Sequence, residues 1–299
     1  MASKKKVNSN NEKNVQVKFS MTQKHAIEAG TSTRKRLVSV AKKASSREIV
    51  KSKFPHTYIY SPPGLGKTYT VERSLEASGI DFHTVSGNIS MFAFGIALAG
   101  IRHRAGLNKP IVIVVDDCDE LFKNEKNINI MKNVLAGLKT YDYEQSLQGQ
   151  WKNLSPVQQD AILAFSDDTK SGFSVPTDKF IFIFTSNFKL PTDDDVLAAR
   201  KKLNGKANKL SHLNAIRSRC RPADFDLTDS EQWGWIVDVV LNENCVSLSK
   251  NDKMVLLDWM YNNWENMSER SIRTAEKMAE TMQEDPEGYR DSWEIDYLK

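Results

Sequence analysis

Small, basic and hydroxyl side chains follow one another over nine positions of the chain, in the order Ser61-Pro62-Pro63-Gly64-Leu65-Gly66-Lys67-Thr68-Tyr69. Glycines allow a tight turn whose backbone N–H groups point at phosphate oxygens, and a helix that begins there adds its positive end. Lys67 would reach the β- and γ-phosphates of a nucleotide, and the Thr68 hydroxyl would ligate Mg²⁺. We therefore predict that ATP and Mg²⁺ bind at residues 63–69.

Acidic residues follow the most apolar run of the chain, Ile111-Val112-Ile113-Val114-Val115. Such a run is typical of a central strand in a parallel sheet that is covered on both faces. A carboxylate at the C-terminal end of that strand lies beside the ligand, so Asp116 is predicted to hold Mg²⁺ through water. Asp117 is predicted to activate the attacking water, with Asp119 and Glu120 as alternatives. The competing interpretation is that these acids only solvate a loop.

Polar residues also end a second apolar run, Phe180-Ile181-Phe182-Ile183-Phe184, which leads into Thr185-Ser186-Asn187. A polar side chain at this end of a strand can hydrogen-bond the attacking water or the γ-phosphate. Asn187 is predicted to do so.

Three arginines, Arg217, Arg219 and Arg221, lie within five residues. Arginine stabilises the charge that develops on a transferring phosphoryl group, often from a neighbouring subunit. The alternative for this cluster is a solvated basic surface.

These residues would be positioned by strands that alternate with helices, which is the pattern of an α/β, doubly wound parallel sheet. Strands are predicted at 57–60, 81–85, 111–115 and 180–184, and helices at 66–77, 90–105 and around 128–138. From residue 229 the pattern is only helical, over 232–241, 252–261 and 268–282. The predicted organisation is a disordered basic tail (1–19), a basic helical segment (20–53), the α/β core (54–228) and a small helical domain with the C-terminal tail (229–299).

The segment 140–178 is longer than a typical connection between elements. Within it, Ser155 and Pro156 fit the N-cap and first position of a short helix, predicted over 155–165.

Charge is distributed unevenly along the 299 residues, whose formal net charge is +4. Residues 1–53 hold eleven Lys and three Arg against three Glu, a net of +11, so the rest of the chain carries −7. A basic arm on an acidic body favours contact with nucleic acid or another polyanion. The alternative is that the lysines only keep the protein soluble.

The composition argues against several classes of protein. No segment reaches the roughly 18 apolar residues of a membrane span, and the Lys-rich N-terminus lacks the apolar region of a secretory signal. The three cysteines, Cys118, Cys220 and Cys245, are widely spaced, which suits free thiols in a reducing compartment. We expect a cytoplasmic protein (in the host cytoplasm if it is viral) with no membrane partner.

Together these elements resemble the AAA+ ATPase family over residues 55–282. The likeness comprises a Walker A motif at 61–68, a Walker B motif at 112–117, a sensor 1 residue at Asn187 and an arginine-finger region at 217–221. Two positions depart from the family pattern: Ser61 replaces the first glycine of Walker A, and Asp117 replaces the usual glutamate of Walker B. The short layout is similar to that of small single-module AAA+ proteins of bacteriophages.

The resemblance also implies roles for individual arginines. Ser218-Arg219-Cys220 is similar to the finger motif of sliding-clamp loaders, which favours Arg219 as a residue that acts on the neighbouring subunit's nucleotide. Arg217 and Arg221 remain alternatives. The helical tail resembles the family's lid domain, in which residues 268–273 are similar to the sensor 2 helix. Arg270 is the predicted sensor 2 residue, with Arg273 as its rival.

The family further implies a homo-oligomer, a ring or an arc, in which ATP hydrolysis remodels a partner. A nucleic acid or a nucleic-acid-bound protein is the first hypothesis, as in clamp or helicase loading during replication or recombination. Protein remodelling or threading is the second, because Met91-Phe92-Ala93-Phe94-Gly95 is similar to an aromatic pore loop; the favoured interpretation of that segment is a buried first turn of a helix. A nucleotide-gated scaffold with weak hydrolysis is the third, suggested by Asp117.

Overall fold

The computed structural model describes residues 19–44, 52–117, 119–136, 139–167, 171–202, 207–243 and 245–299. The predicted tail lies outside these residues except for Phe19, as do residues 45–51 of the basic helical segment and Cys118. The chain forms two compact units. The larger unit consists of residues 32–228, and the smaller consists of residues 229–299 with the described residues up to Thr31.

Seven strands are formed by the described residues: β1 (Thr57–Tyr60), β2 (Phe82–Ser86), β3 (Ile111–Asp116), β4 (Thr140–Tyr143), β5 (Phe173–Pro176), β6 (Phe180–Ser186) and β7 (Arg221–Asp224). Five of them build a parallel sheet in the order β2-β3-β6-β1-β7. The predicted doubly wound α/β fold is therefore confirmed. Because β1, β3 and β6 are neighbours, their carboxyl ends meet at one edge of the sheet.

The helices of the described residues are α1 (Met21–Ala44), α2 (Lys67–Ala77), α3 (Met91–Ala105), α4 (Glu125–Ala136), α5 (Gln148–Trp151), α6 (Pro156–Leu163), α7 (Asp193–Lys201), α8 (Ala207–Arg217), α9 (Asp229–Asn242), α10 (Lys250–Asn262), α11 (Ile272–Glu284) and α12 (Tyr289–Tyr297). Two 3₁₀ turns add Asp119–Phe122 and Trp264–Asn266. The expected helices over 66–77, 90–105, 232–241 and 252–261 are confirmed with ends shifted by a few residues. The helix predicted over 268–282 begins only at Ile272, because the Ser271 side chain caps it there.

The central strands are apolar because both faces of the sheet are covered. All residues of β6 and the first five of β3 are buried. Aromatic rings of β6 stack on one another, with the Phe182 and Phe184 centroids 5.9 Å apart. Such a core holds the strand ends rigidly, which fixes the side chains that follow them.

The described residues of the segment 140–178 form a two-stranded antiparallel hairpin, β4 with β5, and the helices α5 and α6 lie between these strands in the chain. The predicted short helix is confirmed as α6, where Ser155 and Gln158 form a capping box ahead of Pro156.

The hairpin packs on the first turn of α3, the segment similar to a pore loop. Phe94 is fully buried, and the Phe92 ring lies 4.9 Å from that of Tyr143. A side chain at Gly95 would lie 2.3 Å from the Tyr141 ring, so glycine lets that ring approach the helix. The buried-helix interpretation of 91–95 is confirmed.

The smaller unit is helical, as its sequence pattern predicts. Its core includes the fully or nearly fully buried indoles of Trp233, Trp235 and Trp293. The start of α1 crosses α9 at Gly30 and Gly234. A Cβ at Gly234 would lie 1.9 Å from the Ala26 carbonyl oxygen.

Candidate functional site

The loop between β1 and α2 turns through two glycines in the left-handed region, Gly64 at φ 73° and Gly66 at φ 69°. Only glycine adopts these angles without steric cost. Gly66 is the N-cap of α2, so Lys67 and Thr68 occupy its first turn. Ser61 is fully buried and its N–H donates to the Ser186 carbonyl at 3.4 Å, which ties the loop to β6. A small side chain thus fits at the position where the family has glycine.

The ammonium group of Lys67 is nearly buried, since only 6% of the residue is exposed. Its Nζ donates to the carbonyls of Ser61 at 3.1 Å and Pro62 at 3.2 Å, and to Asn187 Oδ1 at 2.7 Å. The loop lysine and the predicted sensor residue are therefore in direct contact. A cation held in this position can interact with anionic oxygens above the loop.

Two hydroxyl groups point at one oxygen of Asp116, at the end of β3. Thr68 Oγ1 donates to Asp116 Oδ1, and Thr185 Oγ1 donates to the same oxygen at 2.6 Å. The two hydroxyl oxygens are 3.3 Å apart. Magnesium in P-loop proteins is bound by one or two protein oxygens together with waters and phosphate oxygens. Thr68 and Asp116 therefore fit Mg²⁺.

Asp117 has an unusual backbone conformation, with φ 49°. Its N–H donates to the Thr185 carbonyl at 3.0 Å, and its Oδ1 accepts from Asn187 Nδ2 at 3.1 Å. A non-glycine residue in the left-handed region is uncommon and is often found at functional sites. The amide of Asn187 thus connects Lys67 on one side with Asp117 on the other.

The remaining candidate acids have different partners. Ser186 Oγ donates to Asp119 Oδ1 at 2.7 Å. Glu120 forms an ion pair with Lys123, at 3.1 Å. The consecutive residues Thr185, Ser186 and Asn187 therefore each hold one of three carboxylates: Asp116, Asp119 and Asp117 respectively.

The three clustered arginines have different surroundings. Arg217 forms two contacts with Asp224, at 2.7 Å and 3.1 Å, and both side chains are mostly buried. Arg221 donates to Ser52 Oγ at 2.7 Å. Arg219 donates from Nη1 to the Ala215 carbonyl at 2.6 Å, while its buried Nε has no hydrogen-bond partner within the described residues. Burial raises the pKa of the adjacent Cys220 thiol to about 12, so this cysteine is an inert packing residue.

Arg270 lies in the smaller unit, just before α11 rather than on it. Its guanidinium pairs with Asp229 at 3.2 Å, donates to the Glu265 carbonyl at 3.1 Å and lies over the Trp264 ring. Arg273 is exposed and lies in the first turn of α11.

The structure therefore brings together Lys67, Thr68, Asp116, Asp117 and Asn187. The described contacts of Arg219 and Arg270 do not include these residues. Sequence reasoning missed Thr185 and Ser186 as partners of the acids. The signal for them was their place beside Asn187 at the end of a buried strand.

Comparison with known proteins agrees with this geometry. Residues 57–200 match the model of the ATPase family associated with various cellular activities (AAA). No curated protein sequence matches the chain.

Several solved structures are similar at low identity. The RuvB Holliday junction branch migration motor of Thermotoga maritima is 15% identical over 85% of this chain and 61% of its own, with a TM-score of 0.40. A mutant of that RuvB is 14% identical over 84% of this chain and 61% of its own, with a TM-score of 0.41. Saccharomyces cerevisiae RIF2 is 12% identical over 87% of this chain and 84% of its own, with a TM-score of 0.27. The chain spans about three fifths of the length of the RuvB chains.

The phosphate loop, the adjacent carboxylates and the parallel sheet define a P-loop ATPase. With the match over 57–200, this part of the chain is an ATPase domain of the AAA type. Members of this family bind ATP with Mg²⁺ and typically form oligomers. No helix among the described residues is long and apolar enough to cross a membrane.

Proposed function

We propose that the chain works as a homo-oligomeric, Mg-ATP-dependent ATPase that remodels a nucleic-acid-associated assembly. The observation that carries the proposal is the contact series Lys67–Asn187–Asp117 beside the Thr68–Asp116–Thr185 group. It supplies a cation, a metal carboxylate and an oriented second carboxylate within one network. Hydrolysis of a phosphoanhydride needs these three groups at one point.

Each residue has a role that follows from its contacts. The N–H groups of residues 63–69 and Lys67 would bind the phosphates, while Thr68 and Asp116 would hold Mg²⁺, which neutralises charge on the phosphate oxygens when bound. Asp117 would accept a proton from the attacking water, and Asn187 would fix the direction of that carboxylate. Two donors on Asp116 Oδ1 hold this carboxylate in one orientation.

A role in trans is proposed for Arg219. Arg217 is neutralised by Asp224 at short distance, and breaking that pair would leave a partly buried charge. Arg219 has no such carboxylate partner among the described contacts, and it retains an unpartnered Nε. This difference supports Arg219 over Arg217 for contact with a neighbouring subunit's nucleotide.

The nucleic-acid part of the proposal rests on charge. Residues 1–53 carry a net charge of +11, and the rest of the chain carries −7. The threading hypothesis has lost its supporting feature, because the segment 91–95 is the start of α3, in which Phe94 is buried and the Phe92 ring packs on Tyr143.

The test is ATP turnover by the full chain, measured alone, with duplex DNA, with single-stranded DNA and with an unfolded protein. We expect Mg²⁺-dependent turnover that DNA increases, and none in the Lys67→Ala variant, which controls for contaminating enzymes. Stimulation by the unfolded protein but not by DNA would favour threading. ATP binding without turnover under every condition would favour the nucleotide-gated scaffold.

A further inference from the structure

The second half of α1, from Ser32 to Ala44, has two distinct faces within the larger unit. One face is buried through Leu37, Ala41 and Ala44, each at most 2% exposed. The opposite face is exposed and displays Ser32, Lys35, Ser39, Lys42 and Lys43. These positions are three to four residues apart, with Lys43 next to Lys42, so their side chains share one side of the helix.

This exposed face, which we name the α1 stripe (Ser32, Lys35, Ser39, Lys42 and Lys43), has a single sign of charge. The only acid in α1 is Glu28, outside the stripe. Exposed helices usually pair lysine with glutamate one turn away, and like charges at that spacing destabilise the helix. None of the ion pairs between described residues includes Lys35, Lys42 or Lys43.

The stripe is part of a packed helix and not of a tail. Arg36 Nη2 donates to the Asp224 carbonyl at 3.3 Å, and its guanidinium lies 4.9 Å from the centre of the Phe225 ring. Together with the buried face, these contacts fix the helix on the end of β7. Lys35 and Lys42 are seven positions apart, which corresponds to about 10 Å along the helix axis.

We propose that the α1 stripe binds the phosphate backbone of double-stranded nucleic acid. This inference rests on the proposed function and names the surface that would carry it. A duplex presents about one negative charge per 1.7 Å of its axis, in a rigid array. Ammonium groups fixed along a helix suit that array, and the serine hydroxyls add hydrogen-bond donors for phosphate oxygens.

Helix electrostatics alone do not account for the stripe. Lys42 and Lys43 lie in the last turn, where cations complement the helix dipole. Lys35 lies two turns earlier, beyond the reach of the helix dipole. The dipole also does not explain why the whole second half of α1 lacks acidic residues.

The experiment measures binding of a short DNA duplex to the full chain by fluorescence anisotropy over a series of salt concentrations. The test variant is Lys35→Gln/Lys42→Gln/Lys43→Gln, since glutamine and lysine have similar helix propensities. Its matched control is Lys152→Gln/Lys179→Gln/Lys201→Gln, which removes the same charge from exposed positions of the same unit. Losing three phosphate contacts should reduce the slope of log K against log salt by roughly 2.7.

We expect the control to change that slope by less than about one third as much, and both variants to keep wild-type turnover without DNA. An equal reduction of the slope in the two variants would overturn the inference, because net charge alone would then explain binding. It is also overturned if deleting residues 1–19 removes all salt dependence while α1 is intact. If wild type neither binds nor responds to any nucleic acid, the proposed function itself fails; if DNA stimulates turnover but the stripe variant equals its control, only the stripe is wrong.

Discussion

Three neighbouring side chains at the end of β6 divide the acids of the site among them. Thr185 contacts Asp116, Ser186 contacts Asp119, and Asn187 contacts Asp117. Asn187 also contacts Lys67. Asp117 is thus the acid connected to the phosphate-binding lysine, which favours it over Asp119 as the residue that activates water.

A comparison of two amide variants tests this assignment. Asp117→Asn removes the proton acceptor but keeps the shape, so turnover should fall by at least about 10²-fold while ATP binding persists. Asp119→Asn should lower turnover much less, because Asp119 contacts Ser186 and not the Asn187 that connects Asp117 to Lys67. Single-turnover hydrolysis and equilibrium nucleotide binding, measured separately, distinguish the two effects. The reverse ranking of the variants would transfer the role to Asp119.

Residue types and order were sufficient to predict Lys67, Thr68, Asp116, Asp117 and Asn187 as one site. The reason is local: a loop between a strand and a helix, and polar residues directly after apolar runs. The pairing of Thr185 with Asp116 could not be predicted. It depends on the register Asp116–Thr185 between β3 and β6, which no pattern within either segment encodes.

A buried histidine joins three parts of the larger unit. His56 Nδ1 accepts from the Phe182 N–H at 3.1 Å, so its Nε2 carries the proton and donates to the Leu135 carbonyl at 3.0 Å. The imidazole therefore connects the start of β1 with β6 and the end of α4. Burial lowers the pKa of His56 from 6.5 to about 4.

This shift predicts an acid-sensitive fold. The pKa of His56 is lower in the folded than in the unfolded state. The contribution of His56 to the free energy of unfolding is therefore fully present above pH 6.5 and declines as the pH falls towards 4. Over that window the free energy of unfolding should fall by up to about 1.4 kcal/mol per pH unit from this group. Chemical unfolding at several pH values measures the slope, which His56→Gln should flatten. The exposed His103→Gln should leave the slope unchanged; a flat wild-type profile contradicts the prediction.

The predictability of the elements follows their composition. The strands β1, β2, β3 and β6 and most helices were predicted because runs of apolar and β-branched residues and helix caps mark them. The strands β4, β5 and β7 were missed. Residues 140–143 and 173–176 alternate over only four positions, and residues 144–172 separate the two strands along the chain. Strand β7, Arg-Pro-Ala-Asp, has no strand pattern and forms because it pairs with β1 at the sheet edge.

Whether one chain supplies every group of the site decides if hydrolysis depends on assembly. Lys67, Asn187 and Asp117 are in contact in series, and Thr68 contacts Asp116. Thr185 connects the two groups, because its carbonyl accepts from the Asp117 N–H and its hydroxyl donates to Asp116. No arginine joins these residues among the described contacts, although the transition state of phosphoryl transfer is commonly stabilised by one. A site completed by Arg219 of a second copy would explain this, and it would make hydrolysis depend on assembly.

Mixing two inactive variants tests that dependence. Arg219→Ala should leave ATP binding nearly intact and remove most turnover, by about 10³-fold if it acts as a finger, and Lys67→Ala should lack nucleotide binding. In mixed oligomers, some interfaces pair an intact phosphate loop from the first variant with an intact Arg219 from the second, so turnover should partly recover. Arg221→Ala serves as the matched control and should cost less than Arg219→Ala. An arginine acting within its own chain could not be rescued in this way, because neither variant then holds a complete site. Mixed oligomers verified by light scattering that recover no turnover would therefore exclude Arg219 as the residue supplied in trans.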